Sequence, residues 1–384
     1  MGLRFLDAGE SHGRAMAVIV EGLPHGLEVS AARVERELAR RRLGYGRGAR
    51  MRLEGDRVRI LSGVRGGRTL GSPVTLVVEN AEHGKWEPVM RVEGAVAGEP
   101  LTAPRPGHAD LAGAIKYGTR DLRDILERAS ARETVGRVCA GALAKALLER
   151  LGIHVVSHVL EVGGIGAEKR GTLSVKDLDS VDEDPMRCLD REASARMRAR
   201  VDEAAEAGDS LGGIFEVLAF GVPPGLGSHV HWDRRLDARL AAAVMGIQAV
   251  KGVEIGDGFR LAELPGSRAV DVMVHDGSGF RRTSNHAGGM EGGVSNGEPV
   301  VLRAAMKPIP TMRKAVDSVD LVSRQRVKAA VERADVCAVP AAAVIAESAV
   351  ALVLADAVLE KTGGDFMGEV ERRYREMLEY VRGF

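Results

Sequence analysis

The chain has 384 residues with 54 basic and 54 acidic side chains, a length that suits one large domain or two and leaves ample mass for a core. A hydrophobic share of 45% and a mean hydropathy of −0.07 exclude a disordered chain, and the balanced charge excludes bulk attraction to nucleic acid or membrane. Glycine is the anomaly: 48 of 384 residues, against about 7% in ordinary proteins, means many backbone positions of positive φ or close approach.

In chain order, Asp7 and Glu10 fall where a secretory signal would carry its apolar centre. Met16 to Val20 reads as a strand, and Ser30 can cap a helix whose Val34 and Leu38 share one face and which ends in Arg40, Arg41 and Arg42. Arg57 to Leu61 and Val74 to Val78, separated by Gly63, Gly66, Gly67 and Gly71, suggest an antiparallel pair with a long connection. Ser130 to Glu133 has capping-box spacing and opens a helix to about Leu151, with Gly152 as its stop. Further strands are expected near His154 to Val162, Ile214 to Phe220, Val270 to His275 and Val300 to Ala305. Further helices are expected near Arg191 to Ala207, Arg234 to Met245 and Val344 to Lys361. The apolar run from Ala341 to Leu359 contains Glu347, Ser348 and Asp356, costly in lipid, and so reads as a buried helix. Seven acids between Asp177 and Glu192 suggest a solvated loop.

No regular strand-helix alternation, Rossmann fingerprint or Walker loop is present, so the class is α+β, with no linker that cuts the chain in two. Cys139, Cys188 and Cys337 are odd in number and far apart, which supports neither a disulfide framework nor a metal clip and fits a reducing cytoplasm.

Two histidines stand on turns: His12 in Gly9 to Gly13, where small neighbours let the ring face a cleft, and His108 in Arg105 to Asp110, where Asp110 can cap the segment after it. Together they permit two proton transfers near neutrality. Eight arginines between Arg33 and Arg52 attract anions. With only Tyr45 as a stacking surface, a small ligand in the Gly44 to Gly48 turn fits better than RNA, and Arg47 offers it a planar fork. Arg128 and Arg132 bracket a helix start suited to phosphate. Five glycines between Ser284 and Gly297 suit a backbone pressed against a flat or phosphorylated cofactor. Lys307 leads a stiff Lys-Pro-Ile-Pro-Thr segment, and Arg333 and Asp335 precede Pro340.

Seven ordered blocks together resemble the chorismate synthase family. They are G-E-S-H-G at 9–13, R-R-R-L-G-Y-G-R-G at 40–48, R-P-G-H-A-D at 105–110 and R-A-S-A-R-E-T at 128–134. S-N-H-A-G-G-M-E-G-G-V-S-N-G at 284–297, K-P-I-P-T at 307–311 and R-A-D-V-C-A-V-P at 333–340 complete the set. Ala334 stands where many relatives have histidine.

The resemblance implies a single domain over 1–384, a β-α-β sandwich with antiparallel sheets around a helical layer, and a cytoplasmic homotetramer. It implies a lyase that converts 5-enolpyruvylshikimate 3-phosphate to chorismate and phosphate with reduced FMN, using no metal. This compact chain is similar to the monofunctional bacterial type, so a separate flavin reductase is expected and NADPH enters only indirectly; a bifunctional enzyme that reduces FMN with NADPH is the alternative. Carried over residue by residue, His12, His108 and Asp335 are catalytic, and Ser11, Arg41, Arg47, Arg105 and Arg132 bind substrate. Flavin contacts fall on Arg128, Ala129, Ser130, Gln248, Ala249, Gly292, Lys307, Pro308, Ile309, Pro310, Thr311 and Arg333. Gln248 and Ala249 carry no signal of their own and otherwise look like a helix end.

Overall fold

The computed structural model describes residues 2–48, 55–168, 173–178, 180–275, 277, 279–330 and 335–384. One antiparallel sheet is built near the N-terminus from β1 (Arg4–Ala8), β2 (Ala15–Glu21), β3 (Val58–Ser62) and β4 (Val74–Glu79), in the order β1-β2-β4-β3. Alternation along β2 and β4 sends Met16, Val18 and Val20 with Val74, Leu76 and Val78 to the inner face. Against that face lie α1 (Ala31–Arg42) and, beyond the short helix α2 (Arg123–Ala129), α3 (Thr134–Arg150). A second antiparallel sheet comprises β5 (His154–Val162), β6 (Ile165–Gly166), β7 (Gly213–Phe220), β8 (Val250–Ile255) and β9 (Val300–Met306), in the order β8-β9-β7-β5-β6. Its inner face is covered by α4 (Leu236–Met245) and α5 (Val339–Thr362). Sheet, helices, sheet is the β-α-β sandwich expected from the resemblance.

The middle of the sandwich explains α5. It has no polar face because α3 lies on one side of it and the second sheet on the other. A helix of this length and apolarity could cross a membrane, yet here it is buried in protein. Close approach is possible because a Cβ on Gly141 of α3 would meet Ser348 Cβ at 2.3 Å, so only glycine lets the two helices touch. One hydrophobic cluster runs through both layers from Leu3 to Tyr374, and all three cysteines sit buried and unbridged.

Several expectations are corrected. Pro340 lies inside the first turn of α5 rather than before it, where its missing N–H and fixed φ cost nothing, so the helix starts at Val339 and not Val344. The strand expected at Val270 to His275 shrinks to Met273–His275, the part that pairs with Phe280–Arg282, and one helical turn, Gly266–Ala269, precedes it. The acidic stretch from Asp177 to Glu192 is not a plain solvated loop. Asp182 pairs with Arg40, Asp184 accepts from Ser194 Oγ at 2.8 Å, and Asp190 caps the helix Arg191–Glu206, while Arg187 between them is fully buried. Those carboxylates are consumed by local hydrogen bonding and ion pairing, which composition alone does not display.

Candidate active site

The turn between β1 and β2 carries Ser11 and His12. Gly9 opens it at φ 127°, where a Cβ would meet Ala15 O at 2.5 Å. The turn is tied to α2: Ser11 N–H donates to Glu127 O (2.9 Å), and the His12 backbone N–H and ring Nδ1–H donate to Glu127 Oε2 and Oε1 (2.8 and 2.9 Å). His12 also stacks on Trp86, centroids 4.0 Å apart. Its ring is therefore not the sterically open imidazole expected from its small neighbours; the cover comes from residues distant in sequence. Burial by itself would raise the Glu127 carboxyl, but the hydrogen bonds from His12 and the charge of Arg123 outweigh it and hold it below its ordinary value.

Ser130 Oγ donates to Ser11 Oγ (3.2 Å) and so joins this turn to the residues after α2. Ser130 does cap, but it caps a short 3-10 turn, Ala131–Glu133, and the expected reciprocal bond from Glu133 is replaced. Glu133 instead accepts from Arg137 Nε and from Gln248 Nε2, both at 2.8 Å. Arg41 reaches the same turn, donating to Thr134 Oγ1 (2.9 Å) and Ala131 O (3.1 Å), and Arg132 pairs with Asp56 at 2.8 Å. Both arginines are buried. Arg128 pairs with Asp7 at 3.1 Å. Burial and the nearby Glu133 carboxylate push Asp7 up despite Arg128.

The second histidine stands in a comparable frame. Asp110 does not cap its helix; it accepts from the Arg105 backbone N–H and Nε (3.0 and 2.9 Å) and from His108 Nδ1–H (2.5 Å). Burial opposes ionisation of Asp110, but those donors prevail and hold the carboxyl well below the usual range. Arg105 also donates to Thr311 Oγ1 (3.2 Å), and Lys307 Nζ donates to Gly107 O (3.2 Å). Lys307 N–H donates to Ala249 O (2.9 Å), where the backbone is left-handed at φ 67°. The Lys-Pro-Ile-Pro-Thr segment is thus the bridge between His108 and the Gln248-Ala249 pair. Burial, then the charge of Lys251, lowers Lys307.

Arg47 and Asp335 meet each other at 3.3 Å, and Gly48 N–H donates to Asp335 Oδ1 (2.6 Å). Among the glycines of 284–297, Gly288, Gly289 and Gly293 abut the protein's own backbone or Arg235, so that a side chain at any of them would clash within the fold itself. Only Gly292 of these four faces open space, on a hairpin packed against Gly227 and Leu236. Arg333 lies outside the described residues. Sequence reasoning missed Glu127, Trp86, Asp56 and Asp7. Of these only Glu127 had a local signal, its spacing of four from Arg123, with which it pairs at 3.1 Å.

The family model for chorismate synthase matches residues 3–359. The chain belongs to the chorismate synthase family. It is 52% identical to chorismate synthase of Carboxydothermus hydrogenoformans over 99% of this chain and all of that protein, and 55% identical to that of Geobacter sulfurreducens over the whole of both. A crystal structure of chorismate synthase superposes with a TM-score of 0.82 at 42% identity, covering 100% of this chain and 99% of the other. As a chorismate synthase family member the chain is an enzyme, a carbon–oxygen lyase acting on phosphate.

Proposed function

We propose that the chain converts 5-enolpyruvylshikimate 3-phosphate to chorismate and phosphate by an anti-1,4-elimination that depends on reduced FMN. The observation that carries this reading is the pairing of each histidine with a buried carboxylate, Glu127 and Asp110, with the buried Arg105 on the Asp110 carboxylate and the buried Arg41 and Arg132 at the turn that Ser130 ties to Ser11. Two oriented imidazoles supply proton transfer, and the arginines suit a substrate with two carboxylates and a phosphate.

The residues present fit a flavin nucleotide. Among the described residues no donor reaches the buried Gln248 Oε1, and a flavin ring N–H can supply one. Lys307 is depressed by burial and by Lys251, a field that a bound phosphate relieves. Arg128 to Ser130, Gln248, Ala249, Gly292, Lys307 to Thr311 and Arg333 would hold the cofactor. Reduced FMN, when bound, lends electron density for expulsion of phosphate and regains it as the C6–H bond breaks, with no net redox change.

In this reading Ser11, Arg41, Arg47, Arg105 and Arg132 orient the substrate. His12 gives a proton to the departing phosphate oxygen, and His108, oriented by Asp110, keeps a proton at the flavin side of the site. Asp335 takes the proton lost from C6. The enzyme works as a monofunctional, cytoplasmic homotetramer of single-domain chains, supplied by a separate flavin reductase. The test is an anaerobic assay with chemically reduced FMN and 5-enolpyruvylshikimate 3-phosphate, with chorismate absorbance and phosphate rising together. No product would reject the reading, and rapid bleaching of FMN by NADPH alone would reject the monofunctional part.

Arg47→Ala is expected to raise KM for the substrate by about 10-fold or more, the equivalent of one charge-assisted hydrogen bond. Steady-state kinetics under the same anaerobic conditions measure it. An unaltered KM would remove Arg47 from the substrate site and leave it as the partner of Asp335.

A further inference from the structure

We infer that Glu127 is the positioning residue of His12: it grips both the backbone and the ring of the histidine, so that Nε2 is the nitrogen that delivers the proton to the leaving phosphate. This rests on the role proposed above for His12.

Both carboxylate oxygens are used on one residue. Oε2 accepts the His12 backbone N–H at 2.8 Å and Oε1 accepts the ring Nδ1–H at 2.9 Å, which fixes the turn and the ring rotation together. Arg123, one helical turn earlier, donates to Oε1 at 3.1 Å and lies 5.1 Å from the Trp86 ring centroid. Trp86 in turn stacks on His12 with only 29° between the planes. Carboxylate, guanidinium and indole therefore enclose the imidazole as a unit, with the Glu127 side chain only 3% exposed.

The tautomer is set by the donor inventory. An ionised carboxylate only accepts, so the ring nitrogen facing Glu127 carries hydrogen. A transferable proton is then assigned to the opposite nitrogen, and the positive charge on a doubly protonated ring lies against an anion whose own charge Arg123 offsets. In this role Glu127 touches neither substrate nor cofactor; it acts through His12.

Glu127→Gln tests this, because an amide can accept one of the two N–H groups through its oxygen but presents donors to the other. The expected result is a fall in kcat of about 10- to 100-fold with KM within about twofold, measured anaerobically with reduced FMN and 5-enolpyruvylshikimate 3-phosphate and normalised to sites that bind FMN. In a His12→Ala background the same substitution is expected to add nothing further to the loss of kcat, since the ring that Glu127 orients is already gone and the backbone N–H left at residue 12 can still be accepted by the amide oxygen. An equal loss in both backgrounds would overturn the inference, as would wild-type kcat for Glu127→Gln. If His12→Ala itself turned over normally, the proposed role of His12 would fail first and the inference with it, an outcome distinct from failure of Glu127 alone. Should Glu127→Gln fail to fold, Glu127→Asp, which keeps the charge but shortens the reach, replaces it, with the same split expected at smaller size.

Discussion

His12→Ala is expected to lower kcat by about 10²- to 10⁴-fold, the usual contribution of one positioned general acid, while substrate KM stays within a few-fold of wild type. The asymmetry arises because different side chains do the two jobs. Ground-state binding is assigned to arginines held by their own partners, Arg132 by Asp56, Arg105 by Asp110 and Arg41 by the Ala131 carbonyl, none of which depends on the imidazole. The imidazole matters only when the phosphate oxygen gathers charge. Rapid quenching of phosphate in a single anaerobic turnover isolates that event from product release, and an unchanged phosphate burst would remove His12 from the chemistry. Because the ring also covers Trp86 and satisfies Glu127, His12→Gln serves as a companion that fills more of the space, and it should be as slow as the alanine variant.

Local patterns were legible where a single element satisfies itself. Ser30 capping a helix with Val34 and Leu38 inward reads directly, since cap and face lie within one segment, and Ser30 does accept from Arg33 N–H. The strands around Val18, Val74 and Val159 follow from β-branched runs bounded by glycine. The partnership of His12 with Glu127 spans 115 positions, and that of Ser157 with Glu347 spans 190. No periodicity encodes such pairs, because each is made by the order in which helices and strands are stacked. The same reason hid the pairing of Asp182 with Arg40, 142 positions away, whereas Asp184 and Asp190 find their partners close by in Ser194 and the start of the helix Arg191–Glu206. Arginine density between Arg33 and Arg42 was readable as anion-seeking. Which anion each guanidinium finds was not: Arg41 goes to the candidate active site, whereas its neighbour Arg40, on another side of the same helix, goes inward to Glu347.

Glu347→Ala is expected to destabilise the protein by about 3–5 kcal/mol, the usual result of removing one member of a buried ionic group. Glu347 is fully buried in α5. Its Oε1 accepts from Ser157 Oγ (2.6 Å), Arg40 Nη2 (2.9 Å) and Arg187 Nη2 (3.1 Å), and its Oε2 accepts from Arg40 Nη1 (2.6 Å) and Lys145 Nζ. Arg40 and Lys145 each also meet Glu37, and Arg40 meets Asp182. Glu37, Asp182 and Glu347 thus balance Arg40, Lys145 and Arg187, and the group ties α1, α3, α5 and β5 at one point. Without Glu347, three cations remain against two anions, and Arg187, fully buried, loses a carboxylate in the driest part of the cluster. Burial already draws Arg187 down to about 10 with Glu347 in place.

The pH dependence fixes the cause. Burial works against ionisation of Glu347, but Arg40, Lys145 and Arg187 together hold its carboxyl far below the ordinary 4.5. A depressed acid stabilises the fold fully above its unfolded value and loses that contribution as pH falls below it. The difference between wild type and Glu347→Ala in urea unfolding should therefore be constant from about pH 6 to 8 and shrink progressively below about pH 4. A difference that persisted undiminished in acid would point to lost side-chain packing in α5 rather than lost charge. Equal midpoints at neutral pH would mean that Arg40, Lys145 and Arg187 regain water once the carboxylate is gone, and that the sandwich stands on apolar contact between its helices and sheets alone.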